Sequence, residues 1–490
     1  MGTLETGFVA LSVLVLLGTA VGGVVVADDG EPTDRVTFDP DVRDVDSFEP
    51  TERDGTAVVD GTQYESVQSA VDAASPGDTV TLEGRFEDER VVIRTPNVTL
   101  TSTDGFAVID GGAGDSAAAP DDDDGSPDGK APGDDGAVGE AVGSDSESSN
   151  DTVLSVDAPG VTLDGVWVRN SGLSATEQDA GIWVTDNGSD FRLVDSRITD
   201  ITFGVWLHET DGALLRNNTI VGHEGVYPLA KRGNGIHLFY TSDVRMEENA
   251  ITGVRDGIYF SWASESHAHG NYMWDLRFGV HYMYSDNCVL EGNVAFDNEV
   301  GFALMVSRNL EIVNNTAVNN TGPSGHGIQV LQIDDTVING NKLVGNVHGV
   351  HLDNSQRITL EDNLLMENRR GAHITSGTRD AEVHGNSFVH NDRQAFTPMR
   401  AQKHWDGNYW SDARSADLTG DGTSEIRHRP EGLVEVIAYR NPEAAVFTNS
   451  PAFDAVRMAE SSFPILESPG VVDNRPLVEA EHDWRRYYGD

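Results

Sequence analysis

A glycine followed by an apolar, a variable and an apolar residue recurs along the chain: Gly181 (GIWV), Gly204 (GVWL), Gly235 (GIHL), Gly257 (GIYF), Gly279 (GVHY), Gly301 (GFAL), Gly327 (GIQV), Gly349 (GVHL) and Gly371 (GAHI). The intervals are 23, 31, 22, 22, 22, 26, 22 and 22 residues. A second column, Asn followed one residue later by an apolar side chain, runs through Asn218, Asn249, Asn271, Asn293, Asn315, Asn341, Asn363, Asn386 and Asn408 in nearly the same steps. Two columns in register define one structural coil of about 22 residues. Within each coil the short alternating apolar runs, broken by Gly, Asn or Asp, have the period of strands. Stacked coils of this length predict an all-β fold, a right-handed parallel β-helix, in which equivalent positions form ladders about 4.8 Å apart.

The flanks differ from the repeats. Between Glu65 and Ala74, Val67, Ala70, Val71 and Ala74 follow helical spacing and predict a short cap helix before the first strand, DTVTL. Such a cap covers what is otherwise an open sheet edge. Residues 111–151 are rich in Gly, Ala, Ser and Asp and have too little apolar surface for a core, so they predict an acidic disordered insert. The expected organisation is an export signal or N-terminal membrane anchor over 1–27, a linker over 28–54, and the cap with the first coils over 55–110. The insert over 111–151, the β-helix repeats over 152–412 and an extension packing on the solenoid over 413–490 complete it.

Residues 8–26 are uncharged and apolar, which places the body of the protein outside the membrane whether the segment is cleaved or retained. A formal net charge of −48 is that of a chain keeping its hydration in high salt, as in a halophile. It argues against nucleic acid and anionic lipid as partners, leaving membrane association to a partner or the N-terminal segment. The single cysteine, Cys288, excludes an internal disulfide framework.

Alternation sends the first and third residues after each glycine inward and the second and fourth outward. The second-position column is Trp183, Trp206, His237, Tyr259, His281, Ala303, Gln329, His351 and His373, and the fourth includes His208, Phe239, Met283, Met305 and Leu331. These outward positions hold almost no carboxylate in a very acidic protein, which marks a contact face. His281, Met283 and Met305, with His237, His267 and His269, offer imidazole and thioether donors suited to Cu(I). The bland alternative is that Met283, Met305, Phe239 and Leu331 form an apolar patch. His326, His348, His351 and His373 are a second candidate metal cluster, or else plain surface histidines. Trp183, Trp206, Phe239, Tyr259 and Trp262 are candidate docking aromatics. Met273 and Cys288 align with core positions. SGHGI at 324–328 resembles the Gly-His-Gly of polygalacturonases, but no acid pair accompanies it. A carbohydrate-binding or polysaccharide-degrading β-helix, pectate-lyase-like or polygalacturonase-like, is therefore the alternative reading. Asp417, Asp421 and Glu425 in DLTGDGTSE resemble a degenerate calcium loop lacking its middle acid, so calcium is not expected there.

WDGNYWSDARSADLTGDG after the last coil, SVQSAVDAASPGDTVTL near the start, the two ladders and the His/Met face together resemble the NosD family, over roughly residues 55–435. The resemblance implies an exported, non-enzymatic β-helix protein that takes copper, docks on an ABC transporter permease and its ATPase, and delivers the metal to apo nitrous oxide reductase. The expected location is the outer face of the cytoplasmic membrane or beyond it.

Overall fold

A computed structural model describes residues 48–112, 151–397, 402–432 and 470–488, except 104, 224, 226, 227 and 376, with scattered residues in 38–45 and 434–456. The apolar stretch 8–26 and all but the ends of the acidic insert lie outside the described residues. Among the described residues, no helix is long and apolar enough to cross a membrane.

The chain winds as a right-handed parallel β-helix. Each coil contributes one strand to each of three long sheets, of 14, 13 and 12 strands among the described residues. The glycine-column strands, from Ala180–Val184 to Arg393–Phe396, lie in the third of these sheets. First and third positions after each glycine are fully buried, as in Ile258/Phe260 and Val280/Tyr282, and join one continuous core. Met273 and Cys288 belong to that core, and burial pushes the Cys288 thiol up to about 12.

Asparagine amides bind the coils along the axis. Nδ2 of Asn271 donates to Oδ1 of Asn293 at 2.8 Å, and Asn293 donates to Asn315 at 3.0 Å. Each Oδ1 also accepts the backbone N–H of the preceding rung, as in Asn271 to Asn293 at 3.0 Å. The corner is therefore fully satisfied away from water, a condition buried polar groups must meet. A second ladder, Asn298, Asn320, Asn346, Asn368 and Asn391, repeats the arrangement at another corner. The column glycines are required by packing: a Cβ on Gly257 would stand 2.5 Å from the carbonyl oxygen of Gly279.

The helix Val67–Ala73, N-capped by Ser66, covers the first coil. Gln68 imitates a neighbouring strand: its Oε1 accepts from Val92 N at 2.7 Å and its Nε2 donates to Val92 O at 3.2 Å. An antiparallel hairpin, Thr56–Val59 with Thr62–Tyr64, closes the adjoining sheet edge. At the other end Gly470–Val472 pairs with Gln402–His404, and Asp473 accepts from Trp410 Nε1 and Asn408 N, each at 2.9 Å. Tyr487 packs with Val344 and Met366 on the outside of the solenoid, where Trp484, Tyr488 and Phe38 join them.

Candidate functional site

In the glycine-column sheet, Trp183, Trp206, His237, Tyr259, His281, Ala303, Gln329, His351 and His373 follow one another in direct register. Strict alternation across the glycine would turn the residue before it inward. The pairing skips the glycine, so that Asp256 pairs with Phe278 and Ile258 with Val280. The residue before the glycine therefore lies on the same outer side as the second residue after it. This local break assembles both polar clusters described next.

The first cluster surrounds Asp256. Its carboxylate accepts from Arg277 Nε at 2.8 Å and Nη2 at 2.6 Å, and approaches Nδ1 of His281 at 3.1 Å. Burial alone would push its pKa up, but the guanidiniums of Arg277 and Arg255 and the His281 contact hold it far below the usual carboxylate range. Burial lowers the pKa of His281 despite Asp256, so the ring is neutral with its proton on Nδ1. Its Nε2 is buried without a hydrogen-bond partner. His237 is also kept neutral by burial, and its Nδ1 accepts from Asn234 Nδ2 at 3.2 Å. Met283 and Met305 are adjacent rungs, packed with Phe278, Val300 and Ala303 in an apolar cluster.

His326, His348 and His351 form the second cluster, with one ring nitrogen from each within 4.8 Å of the others. Nδ1 of His348 lies 2.9 Å from Nδ1 of His326, and Nδ1 of His351 lies 3.3 Å from Nε2 of His326. His373 stacks on His351 with ring centroids 4.7 Å apart. Burial, reinforced by the neighbouring histidines and Arg370, takes His326 down to about 3, His348 to about 2 and His373 to about 4. Burial lowers His351 as well. All four rings are neutral at physiological pH. Nε2 of His351 and both ring nitrogens of His373 are buried without hydrogen-bond partners.

Other expected site residues are distributed differently. His267 and His269 lie on a separate sheet, beside Glu291 rather than His281. Trp183 and Trp206 face outward from the solenoid, but are only 1% and 2% exposed because they stack on each other and pack with Phe203 and Ala175. Phe239 and Tyr259 are partly buried. Trp262, by contrast, is 46% exposed and stacked between Tyr240 and Tyr284, which are 50% and 46% exposed. The carboxylates of Asp417, Asp421 and Glu425 accept hydrogen bonds from nearby backbone N–H groups, and Asp421 also pairs with Arg475 at 2.8 Å. Sequence reasoning missed Asp256, Arg277 and Arg370. The signal for Asp256 and Arg370 was the column immediately before the glycines, which reads Asn234, Asp256, Phe278, Val300, His326, His348 and Arg370; Arg277 lies one residue outside it.

Fold and site together define a parallel β-helix protein that carries neutral, buried histidines on one outer sheet. Residues 217–415 match the family model described as "Periplasmic copper-binding protein (NosD)". The chain is 39% identical over 345 residues to the "Probable ABC transporter binding protein NosD" of Pseudomonas aeruginosa, covering 67% of this chain and 80% of that one. The protein of the same description from Stutzerimonas stutzeri is 36% identical, with 66% and 78% covered. This chain belongs to the NosD family. Among solved structures, the family 28 exopolygalacturonase of Yersinia enterocolitica aligns with a TM-score of 0.45 at 11% identity, over 70% of this chain and 75% of that one.

Proposed function

We propose that this protein is an exported, non-enzymatic copper carrier that works with an ABC transporter. On this reading His326, His348 and His351, with His373 beside them, hold copper in transit as Cu(I) for delivery to apo nitrous oxide reductase. The observation that carries the proposal is the convergence of three neutral imidazoles, two buried and one partly buried, their nitrogens 2.9 and 3.3 Å apart in sequence. Metal ligation requires unprotonated rings, and burial keeps these unprotonated well below neutral pH. Imidazole suits copper, and the guanidinium of Arg370 beside His348 repels a singly charged ion half as strongly as a divalent one.

His281, with its free buried Nε2, and Met283 share a strand two coils from His326 and three from His351, about 10 and 14 Å along the axis, and Met305 lies on the strand between them and His326. They supply a second station for the same soft ion. The exposed ridge of Tyr240, Trp262 and Tyr284 supplies apolar area for docking the transporter permease. Support for a carrier over a hydrolase comes from His326, both of whose ring nitrogens face other histidines rather than a carboxylate pair. The test is anaerobic Cu(I) titration of the natural chain, His326→Ala/His351→Ala and Met283→Ala/Met305→Ala. Loss of the tightest equivalent in the histidine variant is expected. Undiminished binding there moves the ion elsewhere.

A further inference from the structure

Outside the glycine-column sheet, His267 and His269 flank the buried Ala268 on the strand His267–His269, so alternation turns both rings outward. On the next strand Glu291 pairs with His269, while Val289 pairs with His267. Oε2 of Glu291 lies 3.4 Å from Nε2 of His267 and 3.6 Å from Nδ1 of His269. A charge-assisted hydrogen bond between a protonated histidine and a carboxylate closes to about 2.7–2.9 Å. Both separations are too long for that. Two ligand atoms on one tetrahedral ion, with bonds of about 2.0–2.2 Å, stand about 3.3–3.6 Å apart. Both separations match that spacing, and the three donor atoms all lie within 4.8 Å of one another.

We propose that His267, His269 and Glu291 form a surface site for a divalent transition-metal ion, distinct from the buried histidines. Nε2 of His267 is buried and has no hydrogen-bond partner, a need that an ion would meet. The preceding strand places Glu247 beside His269, adding negative charge, and Arg245 beside His267, which opposes it. Two imidazoles and one carboxylate suit Zn²⁺ and its relatives, whereas Mg²⁺ and Ca²⁺ prefer all-oxygen sites. The carboxylate separates this site from the buried cluster, whose donors are imidazoles alone. A fourth position is left to solvent or to a donor from another molecule.

The test is titration of the full chain with Zn²⁺, and with Co²⁺ as a spectroscopic stand-in, in molar KCl and millimolar Mg²⁺ so that ordinary surface carboxylates are occupied. The natural protein is compared with His267→Ala/His269→Ala, Glu291→Gln and His326→Ala/His351→Ala. The expected result is one Zn²⁺ equivalent lost in the first variant and bound at least ten-fold more weakly in the second. It persists in the third, with tetrahedral Co²⁺ absorption following the same pattern. All three ligands are partly exposed, so thermal unfolding should confirm that the first two variants remain folded. Unchanged stoichiometry in His267→Ala/His269→Ala, or failure to retain Zn²⁺ against Mg²⁺, overturns the site.

Discussion

Nη1 of Arg370 stands 2.5 Å from Nε2 of His348. A guanidinium has only donors, so this contact makes Nε2 the acceptor and fixes the His348 proton on Nδ1. That proton points at Nδ1 of His326, which must accept it. His326 in turn carries its proton on Nε2, facing Nδ1 of His351. One arginine thus orders the tautomers of three histidines and leaves the last proton on the unpartnered Nε2 of His351.

Replacing Arg370 with Met should release that order. Ring-nitrogen NMR at neutral pH is expected to show His348 as the Nδ1–H tautomer in the natural protein and as a mixture in Arg370→Met. The pKa of His348 should rise in the variant, because a nearby positive charge that lowers it has gone. An Nε2–H tautomer of His348 in the natural chain would contradict the assignment.

Acid should destabilise the fold through these same rings. Unfolded histidines take up protons near their ordinary value of 6.5, whereas His326 and His348 resist protonation until about 3 and about 2. The unfolded state then binds more protons, so stability is full above about pH 6.5 and falls as pH drops toward the folded values. Urea unfolding between about pH 7 and 5, where ordinary carboxylates stay ionised, is the appropriate measurement. His326→Ala/His348→Ala should lose less stability across that window than the natural protein. An equal slope would mean that these rings are solvated.

The glycine and asparagine columns made the solenoid legible because each repeats with the coil and each has one structural cause. Close backbone approach selects Gly257, and inter-coil amide bonding selects Asn293. The second ladder from Asn298 was harder to see because it occupies fewer coils. The site was legible in its residue types and in the grouping of His326, His348, His351 and His373, but the grouping of His281 with His267 and His269 was not that of the fold. Alternation placed His281 and Met283 outward correctly, yet their environments differ: a buried carboxylate for one and an apolar cluster for the other. Asp256 and Arg370 were obscure because the break at the glycine brings the preceding residue to the outer face. Nor does alternation reveal that outward tryptophans such as Trp183 are covered by their neighbours.

Asn293→Ala should test the ladder's share of stability. The substitution removes the acceptor for both the backbone N–H and the side-chain amide of Asn271, and the donor to Ala268 O and Asn315 Oδ1. Unsatisfied buried groups cost about 1–3 kcal/mol each, so a loss of roughly 3–5 kcal/mol is expected in chemical unfolding. A loss below about 1 kcal/mol would show that water replaces the amide.

Trp262 joins exposure to an unfavourable backbone. Its φ is +56°, and the adjacent rungs Tyr240, Tyr284 and Val306 have values of +51°, +55° and +49°. Bulky side chains in the left-handed region cost about 1 kcal/mol or more, and at 46% exposure Trp262 recovers only part of that through burial. Stacking on Tyr284, with centroids 4.5 Å apart, returns a further 0.5–1.5 kcal/mol or about that. Trp262→Asn keeps a residue that tolerates this backbone while removing the ring, so unfolding should shift by no more than about 1 kcal/mol. If the ridge meets the transporter, Trp262→Asn/Tyr284→Asn should bind the detergent-solubilised permease complex at least ten-fold more weakly than the natural chain. Unaltered binding would assign docking to another face, because Trp262 and Tyr284 stand three and two coils from His326.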